Sequence, residues 1–242
     1  MKILNLGSGT KTSAHPDVAN VDWSAYLRLK RSPLLERAAA GLLSGERKQR
    51  LEALPDNMVI HDLSKGIPFD DGSVDVVYHS HLLEHLDRWV APGFMQEVRR
   101  VLRPGGVQRI VVPDLERLCR DYLDHLRACA EDPTLRPDHD RYVAEILEQS
   151  VRRDAYAMRG QSRPRRLLER VLVGDARRRG ETHQWMYDEA NLGQLLETCG
   201  FDDVRRVSHD ESSVPDWAAY GLDLDEAGNE YKPGSLYVEA VR

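Results

Sequence analysis

The chain has 242 residues, 41% of them hydrophobic and 31% charged, and its formal net charge is −6 at pH 7. This length and balance are typical of a folded domain with a full core, and the negative charge argues against nucleic acid as a partner. No apolar run approaches the length of a membrane span, and the first residues lack the features of a secretory signal. Cys119, Cys129 and Cys199 form no C-x-x-C pair, so we expect reduced thiols, no thiolate zinc site and a cytoplasmic location.

Short apolar runs that end in turn residues predict four strands in the first half of the chain, at residues 1–6, 19–22, 58–63 and 73–80. Residues 23–54, between the second and third of these strands, have the apolar spacing of helices. Strands that alternate with helices favour a parallel α/β sheet, and ligands of such sheets bind outside the carboxyl ends of the strands.

The second half of the chain continues this alternation. The turn Pro104-Gly105-Gly106 separates a helix from a fifth strand, and Gly200 ends a later helix. The predicted elements are a helix at 92–102, a strand at 107–113, helical polar sequence from 115 to about 179, a helix at 189–198, and strands at 204–209 and 235–241.

Three successive strand ends carry residues that suit a nucleoside ligand. Gly7-Ser8-Gly9 follows the first strand, where glycines allow a tight turn and a close approach of the backbone to a ligand. Asp22 ends the second strand, where a carboxylate can accept hydrogen bonds from both hydroxyls of a ribose. Asp62 and Leu63 end the third, where the acid can accept from an adenine amine and the leucine can cover the ring. Each acid alone also suits a turn or a helix N-cap, but together these features predict an adenosyl ligand.

The motifs LNLGSGT, NVD, HDLSKGIPFDDGSVDVVYHSHLLEHL and EVRRVLRPGG together resemble the class I methyltransferases, in particular the type 11 group. The resemblance covers about residues 1–114 and resumes at 183–201 and 235–241. It implies S-adenosylmethionine as the cofactor and a doubly wound, Rossmann-like α/β fold. Its seven-stranded sheet would have the order 3-2-1-4-5-7-6 with the last strand antiparallel. We expect one domain over residues 1–242, with a helical lid inserted at about 115–182.

The resemblance also assigns cofactor contacts at the carboxyl ends of the first four strands. Gly7 and Gly9 would approach the methionine end, and Asn5, where an acid is usual, would hydrogen-bond the loop. Lys11 stands where a third glycine is usual. The full predicted set is Asn5, Gly7, Ser8, Gly9, Asp22, Asp62, Leu63 and Ser80.

Histidines supply the candidates for the chemistry. Methyl transfer to an oxygen requires alignment of the nucleophile and removal of a proton, a task suited to a neutral histidine. His79, His81 and His85 cluster after the fourth strand, and His183 opens the segment HQWMYD. We predict His81 and His183 as the base or as acceptor contacts. His85 either contacts the acceptor or hydrogen-bonds within the scaffold.

The acceptor pocket is predicted from aromatic and basic residues. Trp185 and Tyr187 would line it unless they belong to the core. Residues 23–55 and 159–180 are locally basic, which suits either a solvated face or a lid that attracts an anionic acceptor. In the second case the acceptor contacts would be Arg163, Arg165 and Arg166, because guanidinium groups pair two anionic oxygens at once.

The sequence therefore predicts an S-adenosylmethionine-dependent methyltransferase that acts on a small or medium-sized metabolite, which is anionic if the basic stretches contact it and not if they form a solvated face. One alternative keeps the fold and the cofactor without methylation, since fold does not fix function. The other is a zinc hydrolase, because His81-Leu82-Leu83-Glu84-His85 matches the H-x-x-E-H pattern. The pattern is short, however, and it follows a strand, so we expect no catalytic metal. The oligomeric state is left open.

Overall fold

The structure is a computed structural model, and it describes residues 1–23, 55–150 and 183–242. Within these residues, one sheet has the strand order β3-β2-β1-β4-β5-β7-β6. Its strands are β1 Ile3–Leu6, β2 Val18–Asp22, β3 Met58–Ile60, β4 Val74–Ser80, β5 Leu102–Pro113, β6 Asp202–Val207 and β7 Ser235–Val241. The α-helices of the same residues are α1 Ala91–Val101, α2 Leu115–Glu131, α3 His139–Gln149 and α4 Glu189–Thr198.

The pairing of the strands confirms the predicted fold class. β3, β2, β1, β4 and β5 run parallel, so the carboxyl ends of β1 to β4 meet at one edge of the sheet. β7 is antiparallel to both of its neighbours, β5 and β6. The predicted order 3-2-1-4-5-7-6 and the antiparallel last strand are both confirmed.

The sheet is covered on both faces, as a parallel sheet must be. On one face, α1 and α4 pack their apolar sides into the larger core, which includes Met95, Val98, Leu192 and Leu196, all at 0% exposure. The other face is covered by the chain around the short 3-10 turn Trp217–Tyr220. Because β1 is buried on both faces, its sequence ILNL is nearly continuous in apolar residues.

A buried charge network lies under the second face. Arg109 of β5 is 0% exposed, and its guanidinium donates to Asp223 at 2.7 Å and to Glu239 at 2.8 Å. Asp223 also accepts from the Tyr78 hydroxyl and the Trp217 indole, both at 2.7 Å. These contacts hold the covering segment onto the sheet.

Several element boundaries differ from the predicted ones. β3 ends at Ile60 rather than at residue 63, because Asp62 caps a 3-10 turn at Leu63–Lys65. β5 begins at Leu102 and includes Pro104-Gly105-Gly106, the segment predicted as a turn, beside a register shift in its pairing with β4. α4 has the predicted bounds, and Gly200 follows it with φ +83°.

The predicted lid falls partly within the described residues. Residues 115–149 form α2, the 3-10 helix Pro133–Asp138 and α3, in agreement with the helical pattern. Residues 151–182 lie outside the described part of the chain, as do residues 24–54. The role of the helical segment as a lid stays a prediction. None of the described helices is both long enough and apolar enough to cross a membrane.

Candidate active site

The glycine loop after β1 has the backbone shape that the sequence predicts. Gly7 and Gly9 have φ values of +63° and +52°, a region that only glycine enters readily. A Cβ on Gly7 would lie 2.8 Å from Leu82 Cδ1, so the loop and the segment after β4 are in direct contact there. A Cβ on Gly9 would meet nothing within 4 Å among the described residues. The loop therefore contacts Leu82 at Gly7, whereas the described residues leave space beside Gly9.

Asn5 braces this loop from beneath. The side chain is 2% exposed, and its amide donates to the Lys11 carbonyl and to Asn20 Oδ1, both at 2.9 Å. A neutral amide suits this place because it donates both protons without burying a charge. Asn5 therefore shapes the loop through these two hydrogen bonds.

The two predicted acids lie at the carboxyl ends of β2 and β3. Asp22 Oδ2 accepts from the Gly9 backbone N–H at 2.6 Å, which ties the loop to the second strand. Asp62 accepts from the backbone and the hydroxyl of Ser64, at 3.1 and 2.7 Å. These two hydrogen bonds lower the pKa of Asp62, and the one from the Ser64 hydroxyl has the larger effect. The carboxylate therefore stays charged. Leu63 packs against the larger core. Because β3, β2, β1 and β4 are neighbours, the predicted cofactor residues line one edge of the sheet.

His81 lies directly after β4 between two polar partners. Its φ of +50° is unusual for a residue with a side chain. Its Nε2 lies 2.9 Å from the Ser235 hydroxyl, at the start of β7. Its Nδ1 lies 3.2 Å from Glu84 Oε1. Ser235, His81 and Glu84 thus form a chain of polar groups at the carboxyl edge, next to Ser80.

Glu84 is the buried member of this chain. Its side chain is 0% exposed, and its carboxylate also lies 4.0 Å from His85 Nε2. Burial alone would raise the pKa of Glu84, but the His81 contact, helped by His85, outweighs burial and lowers it. The 3.2 Å contact is an ion-pair distance rather than an ideally aligned hydrogen bond.

His85 and His183 lie together behind Glu84. Their ring centroids are 4.8 Å apart, and His183 Nδ1 donates to the Gln149 carbonyl at 2.9 Å. One ligand atom each of Glu84, His85 and His183 lies within 4.8 Å of the others. The H-x-x-E-H pattern, by contrast, needs both histidines on one helix face, whereas here only Leu83–His85 form a 3-10 turn and His81 precedes it with a left-handed φ. The geometry does not support the zinc-hydrolase alternative.

Two residues near the predicted site are buried. His79, which the sequence groups with His81 and His85 after the fourth strand, is 0% exposed and faces Phe94 at a centroid distance of 5.6 Å. Tyr187 is 3% exposed within the larger core, and burial raises the pKa of its hydroxyl. Both are core residues.

Trp185 is half-buried, and the Arg88 guanidinium stacks over its ring at 4.6 Å. Arg163, Arg165 and Arg166 lie outside the described residues.

The comparisons with known proteins bear on this edge of the sheet. Residues 4–110 match the model of a family described as a methyltransferase domain. This part of the chain belongs to that family. The match spans β1 to β4 and most of β5, which includes every predicted cofactor residue. The predicted cofactor of the methyltransferase domain, S-adenosylmethionine, is thereby confirmed.

Solved structures of methyltransferases are similar to the chain over its whole length. One from Methanosarcina mazei has 17% identity, covers 100% of this chain and 92% of its own, and has a TM-score of 0.44. One from Archaeoglobus fulgidus has 13% identity, coverages of 100% and 86%, and a TM-score of 0.44. The 1,6-didemethyltoxoflavin-N1-methyltransferase of Burkholderia thailandensis has 15% identity, coverages of 99% and 70%, and a TM-score of 0.42. At these values the similarity carries nothing about the acceptor. A search of the curated proteins finds no match.

Two polar residues at this edge of the sheet were not predicted as site residues from the sequence. The sequence offered some indication of Glu84, because it stands between His81 and His85 in the H-x-x-E-H pattern. Only the histidines of that pattern were predicted to take part in the chemistry. Ser235 had no such indication, because it is 154 positions from His81 and only the sheet brings them together. Both contacts depend on tertiary structure.

The buried His79 gives the protein an expected pH dependence. Burial, opposed by the Glu84 charge, lowers the pKa of His79 to about 4. The unfolded chain, with a histidine pKa of about 6.5, then binds this proton more tightly than the folded one. Stability is therefore lost as pH falls from about 6.5 toward 4, by about 2 kcal/mol between pH 7 and 5.

Urea unfolding from pH 7 to 5 measures this effect. The variant His79→Leu should have a flatter pH dependence than the wild type, whereas His209→Gln, on the half-buried chain after β6, should not change it. Equal slopes for the wild type and His79→Leu would show that His79 takes up its proton in the folded state.

Proposed function

We propose that this chain transfers the methyl group of S-adenosylmethionine to a small or medium-sized acceptor, with His81 as the general base. The observation that carries the proposal is the placement of His81. It lies at the carboxyl end of β4, beside the glycine loop, between the buried Glu84 carboxylate and the half-buried Ser235 hydroxyl. Leu82, the next residue, contacts the loop at Gly7.

The residues at the sheet edge fit the cofactor. The Gly9 backbone is open, Asp22 and Asp62 present carboxylates at neighbouring strand ends, and Leu63 offers an apolar side chain. The Ser8 hydroxyl is buried and has no hydrogen-bond partner among the described residues, which is the state expected of a group that awaits a ligand. When bound, S-adenosylmethionine supplies an electrophilic methyl group on a sulfonium.

The contacts of His81 support one tautomer for this role. A carboxylate only accepts, so His81 Nδ1 carries the proton and faces Glu84. Nε2 then holds a lone pair, which accepts from the Ser235 hydroxyl at 2.9 Å. An acceptor hydroxyl or amine that replaces the Ser235 hydroxyl would give its proton to Nε2. The Glu84 carboxylate would stabilise the imidazolium that forms.

The acceptor class follows from charge. Residues 159–180 carry eight arginines against two acids, and we propose that Arg163, Arg165 and Arg166 bind an anionic group of the acceptor. The test is a mass-spectrometric screen for S-adenosylhomocysteine, with carboxylated or phosphorylated metabolites and their neutral analogues as matched pairs. Turnover restricted to anionic members and weakened by salt supports the proposal. Turnover of neutral analogues alone contradicts the anionic class, and cofactor binding without any turnover contradicts methyl transfer.

Cofactor binding has its own test in Asp22→Ala. The loss of the carboxylate should weaken S-adenosylhomocysteine by about 2–3 kcal/mol, because hydrogen bonds to charged groups exceed neutral ones. Isothermal calorimetry measures the change. Asp22→Asn keeps one side-chain acceptor and should lose less.

The matched control is Asp56→Ala, which removes an exposed aspartate from the turn before β3. Its affinity should equal that of the wild type. A folded Asp22→Ala protein with wild-type affinity would remove Asp22 from the cofactor site.

A further inference from the structure

We infer a zinc site between α2 and α3, formed by His125, Cys129 and His139. His125 and Cys129 are four positions apart on α2, so they lie on one face of that helix. His139 is the first residue of α3. One ligand atom of each lies within 4.8 Å of the other two. The inference is independent of the proposed function.

The distances fit a single tetrahedral ion. His125 Nδ1 lies 3.0 Å from His139 Nδ1 and 3.5 Å from Cys129 Sγ. Zinc bonds of about 2.0–2.1 Å to nitrogen and about 2.3 Å to sulfur place tetrahedral ligands about 3.3 Å apart for two nitrogens and about 3.5 Å apart for nitrogen and sulfur. The His125–Cys129 distance has the tetrahedral value, the two imidazole nitrogens are about 0.3 Å closer than it, and Cys129 Sγ lies within 4.8 Å of the His139 ligand atom. Small side-chain shifts would bring the three atoms around one ion.

The surroundings favour an ion over a chance contact. Cys129 is 5% exposed, and the two imidazole rings are nearly parallel, with an interplanar angle of 11°. The Tyr142 ring stacks on His125 at 4.1 Å, and the Tyr122 ring lies 5.3 Å from His139. These aromatic rings restrict the orientation of both imidazoles, which preorganises them for binding.

The ligand set selects the metal. Two imidazoles and a thiolate suit zinc and exclude calcium and magnesium, which prefer oxygen ligands. The Cys129 thiol gives its proton to solvent on binding, and both histidines bind in their neutral form. Three protein ligands leave a fourth position for water.

The location separates this site from the carboxyl edge of the sheet. Cys129 is fifteen positions beyond Asp114, which caps α2 at the end of β5; at 1.5 Å per residue this is about 22 Å along the helix. The ion would therefore fix α2 against α3 rather than polarise the acceptor. The sequence-based expectation of no thiolate zinc site rested on cysteine spacing alone, whereas one of the two histidines, His139, comes from a second helix.

Metal titration of the whole 242-residue chain tests the site. After treatment with a chelator and dialysis, the wild type should bind one equivalent of Co²⁺ with a thiolate charge-transfer band in the near ultraviolet, and Zn²⁺ should displace it. Zinc should also raise the thermal midpoint, because the ion binds the folded state. Cys129→Ser should lose the band, the rise in midpoint and at least about tenfold in zinc affinity, and His139→Gln should lose a similar affinity.

The control is Cys119→Ser, which removes an exposed cysteine from the same helix and should bind like the wild type. His85→Ala tests the other cluster of ligand atoms, with Glu84 and His183, and should also leave the cobalt band unchanged. Binding well below one equivalent in the wild type overturns the inference. So does a cobalt band that survives both Cys129→Ser and His139→Gln, or one that depends on His85 instead. Circular dichroism of each metal-free variant checks that it is folded.

Discussion

Replacing Arg109 by leucine should lower the free energy of unfolding by about 3–5 kcal/mol, the usual cost of breaking a buried ion pair on one side. The guanidinium donates to Asp223 and Glu239, whose side chains are both 2% exposed. Without it, the buried Asp223 carboxylate loses this ion pair, and the Glu239 carboxylate keeps only Arg205, whose side chain is 51% exposed. Urea unfolding at pH 7 measures the loss.

Acid should weaken the same network in the wild type. Burial alone would raise the pKa of Glu239, but hydrogen bonds from Ser212 and Ser213 together with the Arg109 charge lower it to about 2. A carboxylate with a depressed pKa adds stability above its unfolded value, about pH 4.3, and loses that stability as pH falls toward 2. The Arg109→Leu variant should therefore lose less stability than the wild type below pH 4.

The matched control is Arg127→Leu on α2. Arg127 pairs with Asp124 at 3.0 Å, but their side chains are 74% and 71% exposed, and water screens the pair. Its unfolding midpoint should equal that of the wild type within error. An equally small change in the unfolding midpoint of Arg109→Leu would mean that Asp223 and Glu239 become protonated or hydrated without a loss of stability.

His81→Asn should reduce kcat by about 10²–10⁴-fold, the contribution of a general base. Asparagine suits this test because it tolerates the left-handed φ of +50° at this position. The affinity for S-adenosylhomocysteine should not change, because the base acts on the acceptor. The measurement is steady-state kinetics with an acceptor from the screen, alongside calorimetry.

Glu84→Gln tests the positioning of that base. The amide keeps the size of the side chain but removes the charge that faces His81 Nδ1 at 3.2 Å. We expect kcat to fall by about 10–100-fold, which is the usual loss when a residue that only orients a functional side chain is replaced. The KM for the acceptor should stay nearly constant. Glu131→Gln, at the exposed end of α2, should leave the kinetics unchanged. A change in KM alone would assign Glu84 to acceptor binding.

The strands of the sheet were predictable because their sequence signals are local. Apolar runs with turn residues mark each strand, and the strand order came from the family resemblance, not from periodicity. β3 was predicted too long because Asp62 and Ser64 bond locally and end the strand. A hydrophobic pattern gives little information on such competition between side-chain hydrogen bonds and the backbone hydrogen bonds of a strand.

The candidate site was predictable in part. His79 and His81 are two positions apart, so strand alternation places them on one face. The left-handed φ of His81 breaks this alternation, and His79 enters the core while His81 turns to Ser235. The partners of His81 and the convergence of His125 with His139 depend on how elements pack, which one sequence does not reveal.

The placement of β7 has a consequence for synthesis on the ribosome. β7 follows β6 in the chain yet pairs between β5 and β6, over Val107–Pro113 on one side. While residues 235–241 are still in the exit tunnel, one edge of β5 has emerged with its backbone groups unpaired. Such an edge is a template for pairing with another chain. The nascent protein is therefore most prone to aggregate after β6 has emerged and before β7 has closed the sheet.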